Sequence, residues 1–100
     1  MQKSAEEEFV AFVQKYPECY AIAKSDLFMR ILRIVCVPKT TTELVVAAST
    51  IKEKDMLLML LALESAGLCR RATNYQKEVC LATEKGKHLI ELFDAARNSL

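Results

Sequence analysis

Residues 54–68 read KDMLLMLLALESAGL. Residues 56–63 contain no polar side chain, and Gly67 follows four residues later. A run of strong helix formers that stops at a glycine predicts a helix closed by a left-handed cap. Thr50 with Glu53 has the spacing of a capping box, which opens this helix at about residue 52 and carries it to residue 66. Thr40 with Glu43 repeats the pattern upstream, ahead of a short apolar face made by Leu44, Ala47 and Ala48. Ser49, Thr50 and Ile51 separate the two. Helices of about nine and fifteen residues joined by about three have the lengths of a helix-turn-helix.

Working outward, the period changes after Gly67. Residues 68–72 and 78–82 read as short strands, with polar residues 73–77 between them, so a hairpin is expected. Thr83 then caps a last helix whose apolar stripe is Leu89, Phe93, Ala96 and Leu100. On the other side, Ser4 with Glu7 is a further capping pattern. Phe9, Phe12, Val13 and Tyr16 recur behind it at helical spacing until Pro17 ends or kinks the helix. Leu27, Phe28, Ile31, Leu32 and Val35 form a second stripe, closed by Pro38.

The totals bound the function. One hundred residues make one domain with a core of its own. A hydrophobic share of 52% is high for so small a chain and hints at a partner surface, most simply a second copy. The apolar run is too short to span a bilayer and no secretory signal precedes it, so a soluble, cytoplasmic protein without membrane contact is expected. A net charge of +1 is not that of a strongly basic nucleic-acid binder. The positive charge is local: Arg70, Arg71 and Lys77 lie in eight residues without an acid. The four cysteines, Cys19, Cys36, Cys69 and Cys80, form no CxxC pair, which argues against a zinc site and for core thiols. His88 stands without a nucleophile or acid constellation. No metal set or phosphate loop is present, so neither an enzyme nor a cofactor is expected.

At Leu63-Glu64-Ser65-Ala66-Gly67-Leu68, the polar hairpin, and then Leu81-Ala82-Thr83-Glu84-Lys85-Gly86-Lys87, the chain resembles small prokaryotic and archaeal winged helix-turn-helix transcription regulators of the MarR, PadR and ArsR types. The likeness covers roughly residues 26–97. It implies a mainly α fold with a small two-stranded β-hairpin and extra N-terminal helices. Residues 1–36 would hold those helices, 40–66 the helix-turn-helix, 68–82 the wing and 84–98 the C-terminal helix. It also implies a dimeric regulator that binds double-stranded DNA with the start of the second helix and with the wing. The positions that match are Thr41, Thr50, Lys52 and Lys54 at the helix starts. In the wing they are Arg70, Arg71, Asn74, Tyr75, Gln76 and Lys77. Hydroxyls and backbone N–H groups suit phosphates, lysines suit phosphates or guanine edges, and a basic loop with an aromatic suits a groove or backbone.

One departure is plain. Such regulators carry polar residues on the outer face of the second helix, whereas this chain has Leu57, Leu58, Leu61 and Ala62 there. A helix apolar all round is normally covered all round. Residues 4–36 could cover it, a second subunit or another protein could pack on it, or the alignment could be off by a residue; all eight positions are apolar, so no rotation restores a polar face. The alternative function is therefore a winged-helix protein-interaction module without a DNA role. Candidates for the partner or dimer surface are Phe9, Phe12, Leu57, Leu58, Leu61, Leu89 and Phe93, the dimer being built from the N-terminal helices and the last helix. Cys69 and Cys80 lie on opposing strands, as half-buried thiols or as a disulfide within the wing.

Overall fold

The computed structural model describes residues 3–98. These form six helices and one hairpin: α1 (Ala5–Lys15), α2 (Pro17–Lys24), α3 (Asp26–Ile34), α4 (Thr41–Ala47), α5 (Glu53–Ser65), β1 (Cys69–Asn74), β2 (Lys77–Ala82) and α6 (Glu84–Asn98). The fold is mostly helical with a two-stranded antiparallel hairpin, as the sequence predicts. Leu100 lies outside the described residues.

The core forms where α3, α5, the hairpin and α6 converge. Leu32, Leu63, Leu68 and Leu89 are fully buried there. Each such side chain stabilises the fold by about 1.5–3 kcal/mol relative to exposure. Around this centre the N-terminal helices differ from expectation. Pro17 starts a helix rather than only ending one: it occupies the first turn of α2, where its missing N–H costs nothing. Ser25 then caps α3, its Oγ accepting the Phe28 N–H at 3.2 Å.

α1 lies along α6. The Phe9 and Phe93 rings meet edge to face at 6.0 Å, and Phe12 meets His88 at 5.5 Å. This corrects the expected dimer surface. Leu89 is wholly buried in its own chain, and Phe9, Phe12 and Phe93 are partly buried against the same core. The apolar stripes of α1 and α6 are satisfied by each other. An exposed ion pair fixes α6 to α3 as well: Arg33 donates to both oxygens of Asp94, one bond measuring 2.8 Å.

Both halves of the Thr40 capping box form. Thr40 Oγ1 accepts the Glu43 N–H at 3.2 Å, and the Glu43 carboxylate accepts the Thr40 N–H at 2.9 Å. The expected box at Thr50 and Glu53 does not form. Lys52 is the N-cap of α5 and makes no side-chain cap bond. The reason is tertiary: Ile51 is buried, its N–H bonded to Ala48 O at 2.9 Å, which leaves Thr50 exposed outside the helix. Burying an isoleucine outweighs a cap worth about 1 kcal/mol.

α5 ends in a Schellman turn. Leu68 N–H bonds Leu63 O and Gly67 N–H bonds Glu64 O, both at 2.9 Å, with Gly67 at φ +73°. Thr83 joins the wing to α6: its hydroxyl donates to Gly67 O at 2.6 Å and accepts the Gly86 N–H at 3.1 Å. A Cβ on Gly86 would stand 2.1 Å from Leu68 O, so no larger residue fits.

The strands pair over their full length, Cys69 opposite Ala82 and Asn74 opposite Lys77. The loop is therefore two residues, shorter than the polar stretch suggests. Backbone ladder bonds do not require apolar side chains, so pairing runs on through residues 73, 74, 77 and 78. A third, one-residue strand was not foreseen. Lys39 exchanges both backbone bonds with Cys80, at 3.0 and 2.8 Å. This register also corrects the disulfide. Cys80 stands opposite Arg71, so Cys69 and Cys80 are offset by two positions, diagonal on the inner face. Both are buried free thiols, and burial pushes Cys69 up to about 12.

The body of α5 is not covered on both sides. Met56, Leu60 and Leu63 are fully buried, but Leu57 is 39%, Leu58 58% and Leu61 49% exposed. Residues 4–36 therefore leave much of this face open: α2 and α3 border only its C-terminal end, at Ala62, Ser65 and Ala66, and α1 packs on α6 instead. Among the described residues no helix is long and apolar enough to cross a membrane.

Candidate nucleic-acid interface

The wing tip is a tight turn. Tyr75 and Gln76 have φ of 51° and 67°, the left-handed values of a type I′ hairpin turn. Asn and Gly favour such positions, while Tyr and Gln adopt them at a cost of about 1–2 kcal/mol each. The surrounding ladder holds the turn in place. Its effect is to present the Tyr75 side chain to solvent, 93% exposed, between Asn74 and Lys77.

The tip faces the start of α4. A cleft of about 690 Å³ opens between them, lined by Thr40, Thr42 and Glu43 on one wall and by Asn74, Tyr75 and Lys77 on the other. Two local devices build the first wall. The Lys39 bridge pins the preceding chain to β2, and the capping box aims the α4 start outward. Lys39 and Lys77 both act on the Glu43 carboxyl. Its pKa lies below the ordinary range, chiefly because it accepts the Thr40 N–H, and the two lysines lower it further. Glu43 is thus a negative charge held on the cleft wall by its own helix cap.

The remaining expected contacts fall into two groups. Lys52, Lys54 and Thr50 are exposed at the start of α5, outside the cleft, and Thr41 is half-buried in the first turn of α4. Arg70 is exposed on β1, Gln76 at the tip. Among the described residues, Lys52, Lys54, Arg70 and Lys77 make no ion pair. Arg71 differs. Its Nε donates to Glu64 at 2.5 Å and its Nη1 to Glu78 at 2.9 Å, so its charge is balanced within the chain. It braces the wing against α5 and is not a free cation. Sequence reasoning missed Lys39, Pro38 and Val79 at this site; a lysine between a proline and a helix cap carries no period by which a one-residue strand could be read.

No other cluster competes as a chemical site. Among the described residues no three His, Cys, Asp or Glu side chains gather where a metal ion could be held. The groove that Phe12 and Tyr16 share with the start of α6 is open, and its cations are already partnered: Lys85 with Glu18 and Ala66 O, Lys87 with Glu84.

Helix-turn-helix, wing and the helices that carry them define a winged helix-turn-helix fold. Among solved structures, the chain is similar to the transcriptional regulator BldR from Sulfolobus solfataricus, with a TM-score of 0.61 and 20% identity, over 94% of this chain and 67% of that one. At this identity the likeness is one of fold. No protein-family model matches the sequence, and no curated protein matches it.

Proposed function

We propose that this chain is a DNA-binding transcription regulator of the winged-helix type, working in the cytoplasm as a homodimer. Residues 1–100 act as one winged-helix unit, with 40–66 as the helix-turn-helix and 68–82 as the wing. The observation that carries the reading is the cleft between the α4 start and the wing tip. It brings Thr40 and Thr42, Asn74, Tyr75 and the unpaired Lys77 to one surface. A DNA backbone lying across it meets the Thr42 hydroxyl and the α4 start on one wall and the Asn74 amide, the Tyr75 ring and the Lys77 ammonium on the other, with the capped Glu43 carboxylate held away by its bond to Thr40 N–H. Tyr75 at the tip enters or lines the adjacent minor groove. Lys52 and Lys54 meet the major groove or its phosphates.

Few free cations mean few phosphate contacts. Affinity should therefore be modest and should fall steeply with salt. The test is anisotropy titration of labelled duplexes, including a random genomic pool, across a range of salt concentrations. Arg70→Ala and Lys77→Ala should each reduce the salt slope by about 1. Absence of binding to every duplex at low salt ends this reading. A second reading, a protein-docking winged helix, is favoured by one observation, the exposure of Leu57, Leu58 and Leu61. DNA gives these leucines only thymine methyls and would lose hydration at its base edges without gaining partners.

A further inference from the structure

We propose that the cleft between the wing tip and the start of α4 holds one unpaired nucleotide, its base lying on the Tyr75 ring, with guanine the preferred base. That the nucleotide belongs to a DNA strand rests on the DNA-binding reading above; the chemistry of the cleft does not.

The first observation is Tyr75 itself. It stands at a left-handed position, φ 51°, in a two-residue turn, and is 93% exposed. Asparagine or glycine would take this position with little strain. Among the described residues its ring meets no other ring and no cation. The residue is strained and hydrated, and no ring or cation contact within the chain offsets either. Such an outlier points to a contact outside the chain. The ladder pairs as far as Asn74 and Lys77, so the ring is carried on a braced turn.

The second observation is what the ring borders. The cleft of about 690 Å³ takes apolar surface from Pro38 and Val79 and polar groups from Glu43, Asn74 and Lys77. Its size is that of a small-ligand site, about 300–1,000 Å³. An aromatic ring beside aliphatic surface suits a flat heterocycle. A paired base cannot turn into it, because its faces are stacked and its pairing edge is bonded. An unpaired base offers both.

Charge then selects the base. A phosphate seated inside the cleft would meet the Glu43 carboxylate. That carboxylate accepts the Thr40 N–H at 2.9 Å. One such bond uses only one of about four acceptor sites, so acceptor capacity remains on the cleft wall. Guanine presents a ring N–H beside an amino group on its pairing edge, two adjacent donors that match a carboxylate. Thymine presents one N–H between two carbonyls, which a carboxylate repels. Lys77 has no ion pair among the described residues and is left for the attached phosphate. A net charge of +1 suits a site that reads a base more than a backbone.

The experiment titrates the full chain, by anisotropy at low salt, into labelled duplexes of one sequence: fully paired, with one bulged guanine, and with one bulged thymine. The guanine bulge should bind about tenfold more tightly than the paired duplex, with the thymine bulge between them. Tyr75→Ala should bring the guanine bulge to within about twofold of the paired duplex, while Tyr75→Phe keeps the advantage. Glu43→Gln, which can still cap α4, should bring the two bulges together. Circular dichroism checks that each variant is folded. Free deoxyguanosine monophosphate, followed through the NMR shifts of the Tyr75 ring, tests the other source of the nucleotide. If all three duplexes bind equally, or Tyr75→Ala keeps the bulge advantage, the nucleotide site is overturned and the DNA-binding reading stands. A thymine bulge that matches guanine in wild type overturns the base preference. If no DNA binds but the free nucleotide shifts Tyr75, the DNA-binding reading falls and the site stands. If neither acts, both fall.

Discussion

The wing tip and the body of α5 are the two parts of a winged helix that most often meet a nucleic acid, and in this chain they have opposite chemistry. The tip is polar and exposed throughout, from Asn74 to Lys77, and it keeps its shape through two left-handed residues. The α5 body has regular backbone and shows solvent three leucines and an alanine. Backbone fold and surface chemistry are therefore separable. The core asks only that Met56, Leu60 and Leu63 point inward, with Met59 partly buried beside them. The outer face of α5 is free to serve a different partner from the one the tip serves.

The largest effect should come from the joint that holds the two regions together. Gly86→Ala drives a methyl into Leu68 O and should cost about 3 kcal/mol or more. Thermal unfolding should show a fall in Tm on the order of 10 °C or more. A change of a few degrees would mean that the wing base moves away from α6 with ease, and that tip and helix are less firmly related than described above.

A second change sharpens the contrast by separating stability from binding at the tip. Tyr75→Asn with Gln76→Gly suits the turn and should raise stability by about 1–2 kcal/mol. The same change removes the exposed ring, so duplex affinity should fall while Tm rises. If both rise, the ring is not a contact and the tip acts only through its backbone and Lys77.

The smallest effect serves as a control away from both regions. The Arg33 hydrogen bonds hold the Asp94 carboxyl below its usual range, with a further lowering from the Arg33 and Arg97 charges. A carboxyl depressed in the folded state adds stability that is present above its unfolded value and is lost as pH falls through its folded value. Stability should therefore decline below about pH 4, the ordinary aspartate range. Because both side chains are 40% exposed, Asp94→Asn should cost only about 0.5–1 kcal/mol at neutral pH. It should also flatten the acid decline in denaturant titrations, with duplex binding and self-association unchanged. A larger cost would show that α6 depends on this pair.

Much of the scaffold was legible because local chemistry and tertiary structure agree there. Gly67 stops α5, and Thr40 with Glu43 opens α4. Legibility failed where a tertiary demand outweighed a local one. Burial of Ile51 overruled the Thr50 cap, and the register of the hairpin put Cys69 and Cys80 on a diagonal. The candidate site was legible as a set of residues but not as a surface. Nothing in the chain order says that Thr42 faces Tyr75, or that Arg71 is held by Glu64 and Glu78.

By itself the sequence determined the order of elements, where most of them start and stop, and the fact that α5 is apolar on every side. These follow from spacing, caps and composition, which act over a few residues. Only the tertiary structure decided which apolar stripes satisfy one another. α1 is spent on α6, so it does not reach α5. That choice depends on contacts between residues some eighty positions apart, such as Phe9 with Phe93, which no local period encodes. It leaves Leu57, Leu58 and Leu61 at the surface, and so turns residues 54–68 from a puzzle about burial into a question about a partner.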